Sequence, residues 1–309
     1  MRHAELELPG FRHEALFYRG DEEFLAGTVP PVLDALDAGG AVLVAVPGAR
    51  AAILREELGA AAAGVGFADM EELGRNPGRI IPAWRDFAER HAGRDAPAFG
   101  IGEPIWAGRS AAEIVECERH ETLLNVAFQG TPAWTLVCPY DAERLPPEVV
   151  DAARCNHPHV IEDGRHERSG AFRRAIPGPD PLPAPECAEE LELAAGGLPA
   201  LREHVARRAR EAGLGERRTA DLVLAIDELG CNSLRYARGR ATLRTWQDHG
   251  SLVCEVADPG HIADPLAGRS LPGPDELAGR GLYLVNQLCD LVQLRSSPEG
   301  SVVRVHMRL

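Results

Sequence analysis

The sequence predicts two domains of different class. The first half is α/β, with a mostly parallel sheet; the second is an α+β sandwich, with helices packed on one face of a mixed sheet. Three observations predict this. Short apolar runs alternate with helical stretches through residue 158, the pattern of strands joined by crossover helices. Five prolines within Pro177–Pro185 (PGPDPLPAP) then interrupt it. Beyond them, strand-like runs come in pairs around tight-turn signals, with three helical segments.

The elements follow in order. Ala15–Tyr18 is a short strand, and Asp21 is placed to cap the helix after it, through Leu36, which Gly39-Gly40 stops. Ala41–Val46 (AVLVAV) is a near-continuous apolar run, typical of a strand buried on both faces. Residues 49–58 read as a helix, Val65–Met70 as a strand, Pro82–His91 as a helix with Trp84 and Phe87 facing in, and Ala98–Gly102 as a strand. Ser110 and Glu113 form a capping-box signature for a helix to Phe128. Trp134–Cys138 and Pro147–Cys155 complete this half. Glu162–Glu186 reads as a linker, polar and basic in DGRHERSGAFRR and polyproline-like after it. The expected domain limits are residues 1–160, 161–186 and 187–309. In the last of these, Glu190–Leu193 is an edge strand and Leu198–Ala212 an amphipathic helix. Thr219–Tyr236 is a second helix. Ala241–Gln247 and Leu252–Ala257 flank the turn His249-Gly250, residues 261–278 form a loop, and Gly281–Leu288 is a helix. Leu291–Arg295 and Val302–Met307 form a second hairpin.

Composition narrows the function. The chain has 309 residues, 45% of them hydrophobic, enough for two real cores. A net charge of −14 argues against a nucleic-acid or anionic-membrane surface. All 33 basic residues are Arg, which excludes a phosphate-loop lysine and a Schiff base; phosphate contacts fall to Arg or backbone N–H groups. The seven cysteines form no C-x-x-C pair and read as reduced thiols. With no apolar run of spanning length and no secretory-type N-terminus, a cytoplasmic protein is expected.

Chemistry concentrates in the Thr219–Tyr236 helix. Leu222, Ile226, Leu229 and Ser233 repeat at helical spacing and mark a buried stripe, while Glu228 and Asn232, four apart, stack on another face. A carboxylate over a carboxamide can hold a magnesium-bound nucleotide: the amide oxygen ligates a hard cation and the carboxylate takes a proton. Alone, E-x-x-x-N is most often a solvated helix face. Downstream, however, come Asp258-Pro259-Gly260 after a strand, Gly279-Arg280-Gly281-Leu282, and Gly300-Ser301. The ordered set resembles the nucleotide-binding boxes of the GHKL ATPase superfamily. DELGCNSLRYA, VADPG, GRGLYLVNQLCD and GSVVRVHM look most like its anti-sigma-factor serine/threonine kinase branch. The resemblance covers about residues 188–309.

It implies ATP and Mg2+ as cofactors, with Asn232 as metal ligand and Glu228 as general base. It also implies Asp258 accepting from the adenine amine and Gly260 allowing close backbone approach. Gly279, Arg280, Gly281 and Leu282 would hold phosphate at a helix N-terminus, and Ser301 would lie at the adenine edge. Asp227 is expected to be solvated or structural. Ile262 stands where relatives often carry a second glycine, Tyr236 where many have a small polar residue, and the lid near 263–278 holds Arg269 as its cation.

The first half lacks G-x-x-x-x-G-K-[ST]. Pro47-Gly48-Ala49-Arg50, after Ala41–Val46, stands where a phosphate loop is expected. HEALFYRGDEEFL, GRNPGRIIPAW, GIGEPIWAGRS and LVCPYD resemble the MEDS sensory domain, similar to RecA/KaiC-type folds without a working phosphate loop. This covers about residues 10–158 and implies sensing of a small-molecule signal. Glu103, Trp106, Glu113, Glu118 and Tyr140 fall in the matching stretches; Trp106 and Tyr140 are either pocket liners or plain core aromatics. Cys117, His120 and Cys138 are a candidate meeting point.

The expected protein is an ATP-binding regulator, a sensory domain tethered to a serine/threonine kinase. Its expected partners are a sigma factor or an anti-sigma antagonist protein, with homodimerisation open. A nucleotide-gated binding switch and an atypical histidine kinase using His120 are the alternatives.

Overall fold

The computed structural model describes residues 10–93, 96–176, 178, 180–237, 239–271 and 279–309. The chain divides into two compact units, one of Met1–Gly74 and Ala83–Ile176, the other of Arg75–Pro82 and Pro177–Leu309.

The strands of the first unit are β1 (Phe11–Tyr18), β2 (Val42–Val46), β3 (Val65–Asp69), β4 (Ala98–Gly102), β5 (Trp134–Asp141), β6 (His159–Glu162) and β7 (Arg165–Arg168). Its helices are α1 (Gly20–Asp37), α2 (Gly48–Leu58), α3 (Met70–Leu73), α4 (Ile80–His91), α5 (Ala111–Ala127) and α6 (Pro147–Asn156). The sheet order is β3-β2-β4-β5-β1-β6-β7, and every pair is parallel except β6–β7. β1 lies in its interior, between β5 and β6, and is buried from His13 to Tyr18, because crossover helices cover both faces of a parallel sheet. Trp84 lies on the glycine positions of β4: a Cβ at Gly100 or at Gly102 would come within 2.9 Å of its ring.

Three expectations need correction here. The chain leaving β1 crosses to β2, and the chain leaving β5 crosses to β6 on the opposite side. The crevice at the strand ends therefore opens between β1 and β5. The position equivalent to a phosphate loop is Arg19-Gly20-Asp21, not Pro47–Arg50. Asp21 does not cap α1; Arg19 occupies the N-cap, and Asp21 pairs with Arg50. The first part of the expected linker is no linker, since Arg165–Arg168 pairs antiparallel with β6.

The second unit holds β8 (Glu189–Leu193), α7 (Leu198–Glu211), α8 (Glu216–Tyr236), β9 (Ala241–Asp248), β10 (Ser251–Asp258), α9 (Arg280–Leu288), β11 (Leu291–Ser297) and β12 (Gly300–Arg308). Its order is β11-β12-β10-β9-β8, with β8 at the edge as expected. Every pair is antiparallel, so the sheet is not mixed. Tight hairpins explain this. His249 (φ 43°) and Gly250 (φ 73°) both take positive φ, the two-residue turn whose twist matches the strands it joins. One face of the sheet carries the helices: Leu222, Ile226 and Leu229 of α8 and Leu201 and Val205 of α7 share a core with Leu243, Leu252, Cys254 and Val305.

The other face is polar and covered. Glu255, 1% exposed, accepts from Arg304 Nε at 3.0 Å and Nη2 at 2.6 Å. Arg304 also donates to the carbonyls of Leu182 and Pro183 and lies over the Trp246 ring. The proline-rich segment is thus tied to the sheet rather than free.

Removing one partner of a buried ion pair is strongly destabilising. Arg304→Met should lower the stability of the second unit by roughly 2–3 kcal/mol, because Arg244, 3.4 Å from Glu255, retains part of the pairing. Denaturant unfolding followed through Trp246 fluorescence measures it.

Candidate functional site

The apolar stripe of α8 fixes where its polar side chains go. Leu222, Ile226, Leu229 and Ser233 are buried, which turns Glu228 and Asn232 toward the first turn of α9. That turn is a close fit. A Cβ on Gly281 would lie 2.7 Å from Glu228 Oε2 and 3.1 Å from Asn232 Nδ2. Only a glycine leaves the backbone this near both side chains. Gly279 caps the helix in the left-handed conformation (φ 90°) and supplies no capping side chain. The first N–H groups of a helix have no intrahelical acceptor and favour negative charge. Arg280 and Leu282 flank Gly281 in this turn, Arg280 exposed and Leu282 partly buried.

The same helix reaches the second glycine-bearing loop. Ser233 Oγ donates to Asp258 Oδ2 at 2.5 Å, Ser301 Oγ donates to Asp258 Oδ1 at 3.0 Å, and Gly260 N–H donates to Oδ1 at 2.8 Å. Asp258 and Ser301 are register partners across β10 and β12. A carboxylate offers about four acceptor positions, so these three donors fix its orientation and leave it room for one more. Gly260 packs on Ala237, which a Cβ would approach to 3.0 Å. The residues expected from the sequence thus form two groups joined through α8: Glu228, Asn232 and Gly281, and Asp258, Gly260 and Ser301. Ser233 was read only as core. Its hydroxyl on an otherwise apolar stripe is the signal that could have marked it. Asp227 lies apart and accepts from Arg202 of α7 at 2.7 Å. Tyr236 is 62% exposed, and the part of the lid at 272–278 lies outside the described residues.

Behind α9, Asn286 is buried and fully engaged. Its Nδ2 donates to the Gly268 carbonyl at 2.9 Å, and its own carbonyl and Oδ1 accept from Asn76 Nδ2 at 2.9 and 3.0 Å. Arg269, the lid cation, is 8% exposed and donates to the Pro77 carbonyl. It is therefore held inside the unit rather than projecting over the site.

In the first unit, the strand ends hold a second polar group. Tyr18 Oη donates to Glu103 Oε1 at 2.7 Å, Arg50 pairs with Asp141 at 3.2 Å, and its guanidinium lies 5.0 Å from the Tyr18 ring centre. Glu103 is 2% exposed, and its Oε2 has no hydrogen-bond partner among the described residues. Burial pushes its carboxyl up to about 7, against the opposing Tyr18 hydrogen bond and Arg50 charge. Of the other candidates, Glu113 serves the Ser110 capping box and pairs with Arg109. Trp106 stacks under Arg109. Tyr140 is a buried aromatic against Phe17 and His157. Burial, then the Glu148 charge, raises Glu118. Cys117, His120 and Cys138 do not form one ligand group: Cys138 meets His13, Glu121 and His157 instead, and Cys117 donates to the Pro104 carbonyl.

Residues 12–158 match the family model of MEDS, the methanogen/methylotroph, DcmR sensory domain, and residues 191–307 match that of the histidine kinase-like ATPase domain. No curated protein matches the chain. Among solved structures, the RsbU and RsbW domains of Rv1364c from Mycobacterium tuberculosis are similar at 17% identity and a TM-score of 0.32, over 41% of this chain and 33% of that one. The histidine kinase AdeS of Acinetobacter baumannii is similar at 12% identity and a TM-score of 0.24, over 39% of this chain and 67% of that one. The chain spans about a third of the length of the first of these. Among the described residues, no helix is long and apolar enough to cross a membrane.

Two outcomes are expected. Between its ordinary value of 4.5 and about 7, Glu103 keeps a proton in the folded state that the unfolded chain has lost. Its stabilising contribution is therefore present at low pH and lost as pH rises through that window, at a slope of up to about 1.4 kcal/mol per pH unit, and is constant above it. Subtracting the unfolding curves of Glu103→Gln from those of the wild type isolates this slope. Gly281→Ala should displace the Glu228 carboxylate and, on the nucleotide-binding reading proposed below, weaken nucleotide binding by roughly tenfold, equivalent to about 1.4 kcal/mol, with the fold intact by circular dichroism.

Proposed function

We propose that this chain, a MEDS sensory domain joined to a histidine kinase-like ATPase domain, is a signal-responsive regulator that binds Mg-ATP and phosphorylates a partner protein on serine or threonine. In this reading the sensory domain spans residues 1–160 and the ATPase domain 187–309, with 161–186 between them carrying β7 before the proline-rich stretch. The observation that carries it is the approach of Gly281 to Glu228 and Asn232, which sets a helix N-terminus, a carboxylate and a carboxamide around one point.

The residues fit the nucleotide. Asp258, held by three donors, has one acceptor position left for the adenine amine, and Ser301 and Gly260 border that edge. The backbone N–H groups of Gly281 and Leu282, with Gly279 and Arg280 before them, receive phosphate oxygens. Asn232 would hold magnesium, which would neutralise charge on the phosphates. Glu228 takes the proton from the attacking hydroxyl. As that oxygen bonds to the γ-phosphorus, the bond to the β-bridging oxygen breaks and ADP leaves. Positioning and charge stabilisation supply most of the rate in such transfers, so a chain without lysine can perform them through backbone N–H groups and Arg.

The motifs Asp227–Ala237 and Gly279–Asp290 support an anti-sigma-type partner, either the sigma factor or its antagonist. A nucleotide-gated binding switch is the second reading. One observation favours it: Ile262 stands in place of a second glycine, and its N–H is tied to Ser296 Oγ at 2.8 Å, which fixes the loop rather than leaving it to close. The histidine-kinase alternative loses ground, because His120 is 1% exposed and out of reach of a phosphoryl donor.

Nucleotide titration by calorimetry on the full chain, with and without magnesium, is the test. Wild type should bind ATP in a magnesium-dependent way. Asn232→Ala should lose that dependence. Glu228→Gln should bind normally yet lose phosphoryl transfer by about 10²–10⁴-fold. A wild type that binds no nucleotide under magnesium would refute the kinase and the switch alike, and normal binding without transfer would leave the switch.

A further inference from the structure

Four side chains that the kinase reading does not use meet inside the first unit: His13 of β1, Cys138 of β5, Glu121 of α5 and His157 at the C-cap of α6. All four are buried, at 0–1% exposure, and their ligand atoms lie within 4.8 Å of one another. Glu121 Oε2 stands 3.0 Å from His13 Nε2 and 3.3 Å from His157 Nε2. Cys138 Sγ stands 3.4 Å from His13 Nε2 and 3.6 Å from Glu121 Oε2.

The surrounding hydrogen bonds decide which atoms carry protons. Asn125 Nδ2 donates to the carbonyls of Glu121 and Asn156, at 3.3 and 2.8 Å, which fixes the amide and leaves its Oδ1 as an acceptor. That oxygen faces His13 Nδ1 at 3.1 Å, so Nδ1 is the donor. His157 Nδ1 faces the Ala153 carbonyl at 2.8 Å and is a donor for the same reason. In the neutral rings both Nε2 atoms then present lone pairs to a carboxylate oxygen and a sulfur. His157 Nε2 and Glu121 Oε1 have no hydrogen-bond partner among the described residues. The Cys138 thiol donates to Glu121 Oε2; once it gives up that proton, four lone-pair donors converge in a buried space, an arrangement that calls for a cation at their centre.

We propose that His13, Glu121, Cys138 and His157 bind one divalent first-row transition-metal ion of the zinc class. The spacing fits. Bonds of about 2.0–2.1 Å to nitrogen and oxygen and about 2.3 Å to sulfur put tetrahedral neighbours roughly 3.3–3.6 Å apart; four of the six pairs stand at 3.0, 3.3, 3.4 and 3.6 Å here, and all lie within 4.8 Å. The charge also fits: a carboxylate and a thiolate cancel a divalent ion, leaving the buried site neutral, and the thiol proton leaves to solvent. Histidines whose second nitrogen is held by an oxygen are the usual supports of such a centre. The ligands join two adjacent strands to two helices, so the ion would clamp the centre of the sensory sheet to its cover.

Tag-free full-length protein produced in medium with cobalt replacing zinc tests this, since a buried site fills during folding. One cobalt ion per chain is expected, with a thiolate-to-cobalt charge-transfer absorption. Cys138→Ser should abolish the absorption and His157→Gln should lower the metal content. Cys187→Ser and Cys231→Ser, at exposed positions, should change neither. X-ray absorption on the wild type alone, independent of how the variants fold, should show a nitrogen/oxygen shell with one sulfur. Folded wild type without stoichiometric cobalt from that medium would overturn the proposal, as would an absorption that survives Cys138→Ser or a metal shell lacking sulfur. None of these outcomes depends on nucleotide binding by the second unit.

Discussion

The approach of α9 to α8 governs the second unit. Six buried positions on α8 dock it on the antiparallel sheet and leave one polar face for its neighbour. Gly281 is the price of that closeness, since any Cβ there would press on Glu228 and Asn232. The constraint is geometric before it is chemical. A helix N-terminus, whose first N–H groups have no intrahelical acceptor, is brought beside a carboxylate and an amide, and such an arrangement favours an anionic ligand with its cation.

The site is held from both sides. Ser233 and Ser301 clamp Asp258, so the residue at the end of β10 is oriented by the helix and by the neighbouring strand together. On the far side of α9, Asn286 ties the helix to Gly268 and Asn76. A Cβ at Gly78 would come within 2.2 Å of the Asn286 side chain. Asn286 therefore leaves no slack, and movement of α9 or of the loop at Gly268 would be felt by both. Such packed contacts switch between discrete arrangements rather than deforming smoothly.

Two largely buried clusters of polar residues in the first unit follow from the topology. Glu103, Tyr18, Arg50 and Asp141 gather where the crossovers diverge at the strand ends. His13, Glu121, Cys138 and His157 gather between the sheet centre and its helices. Buried ionisable groups are stable only with partners, so neither cluster is incidental to the fold.

Local order was legible in the chain. The alternation of runs gave the strands and helices close to their observed limits, and Ser110–Glu113 gave a cap that the structure reproduces. The ordered boxes pointed to Glu228, Asn232, Asp258, Gly260, Gly281 and Ser301, which α8 joins into two groups, because helical spacing and glycine positions are properties of neighbouring residues. The sequence did not reveal that the second sheet is wholly antiparallel, that Arg165–Arg168 adds a strand, or that the crevice opens after β1. Each depends on which strands become neighbours, a choice made by packing over the whole chain. Cys138 and His13 illustrate the limit. They are 125 residues apart, no spacing rule links them, and only the pairing of β1 with β5 sets them side by side. The sequence by itself determined the elements and the residues able to do chemistry; tertiary structure alone decided which of them meet.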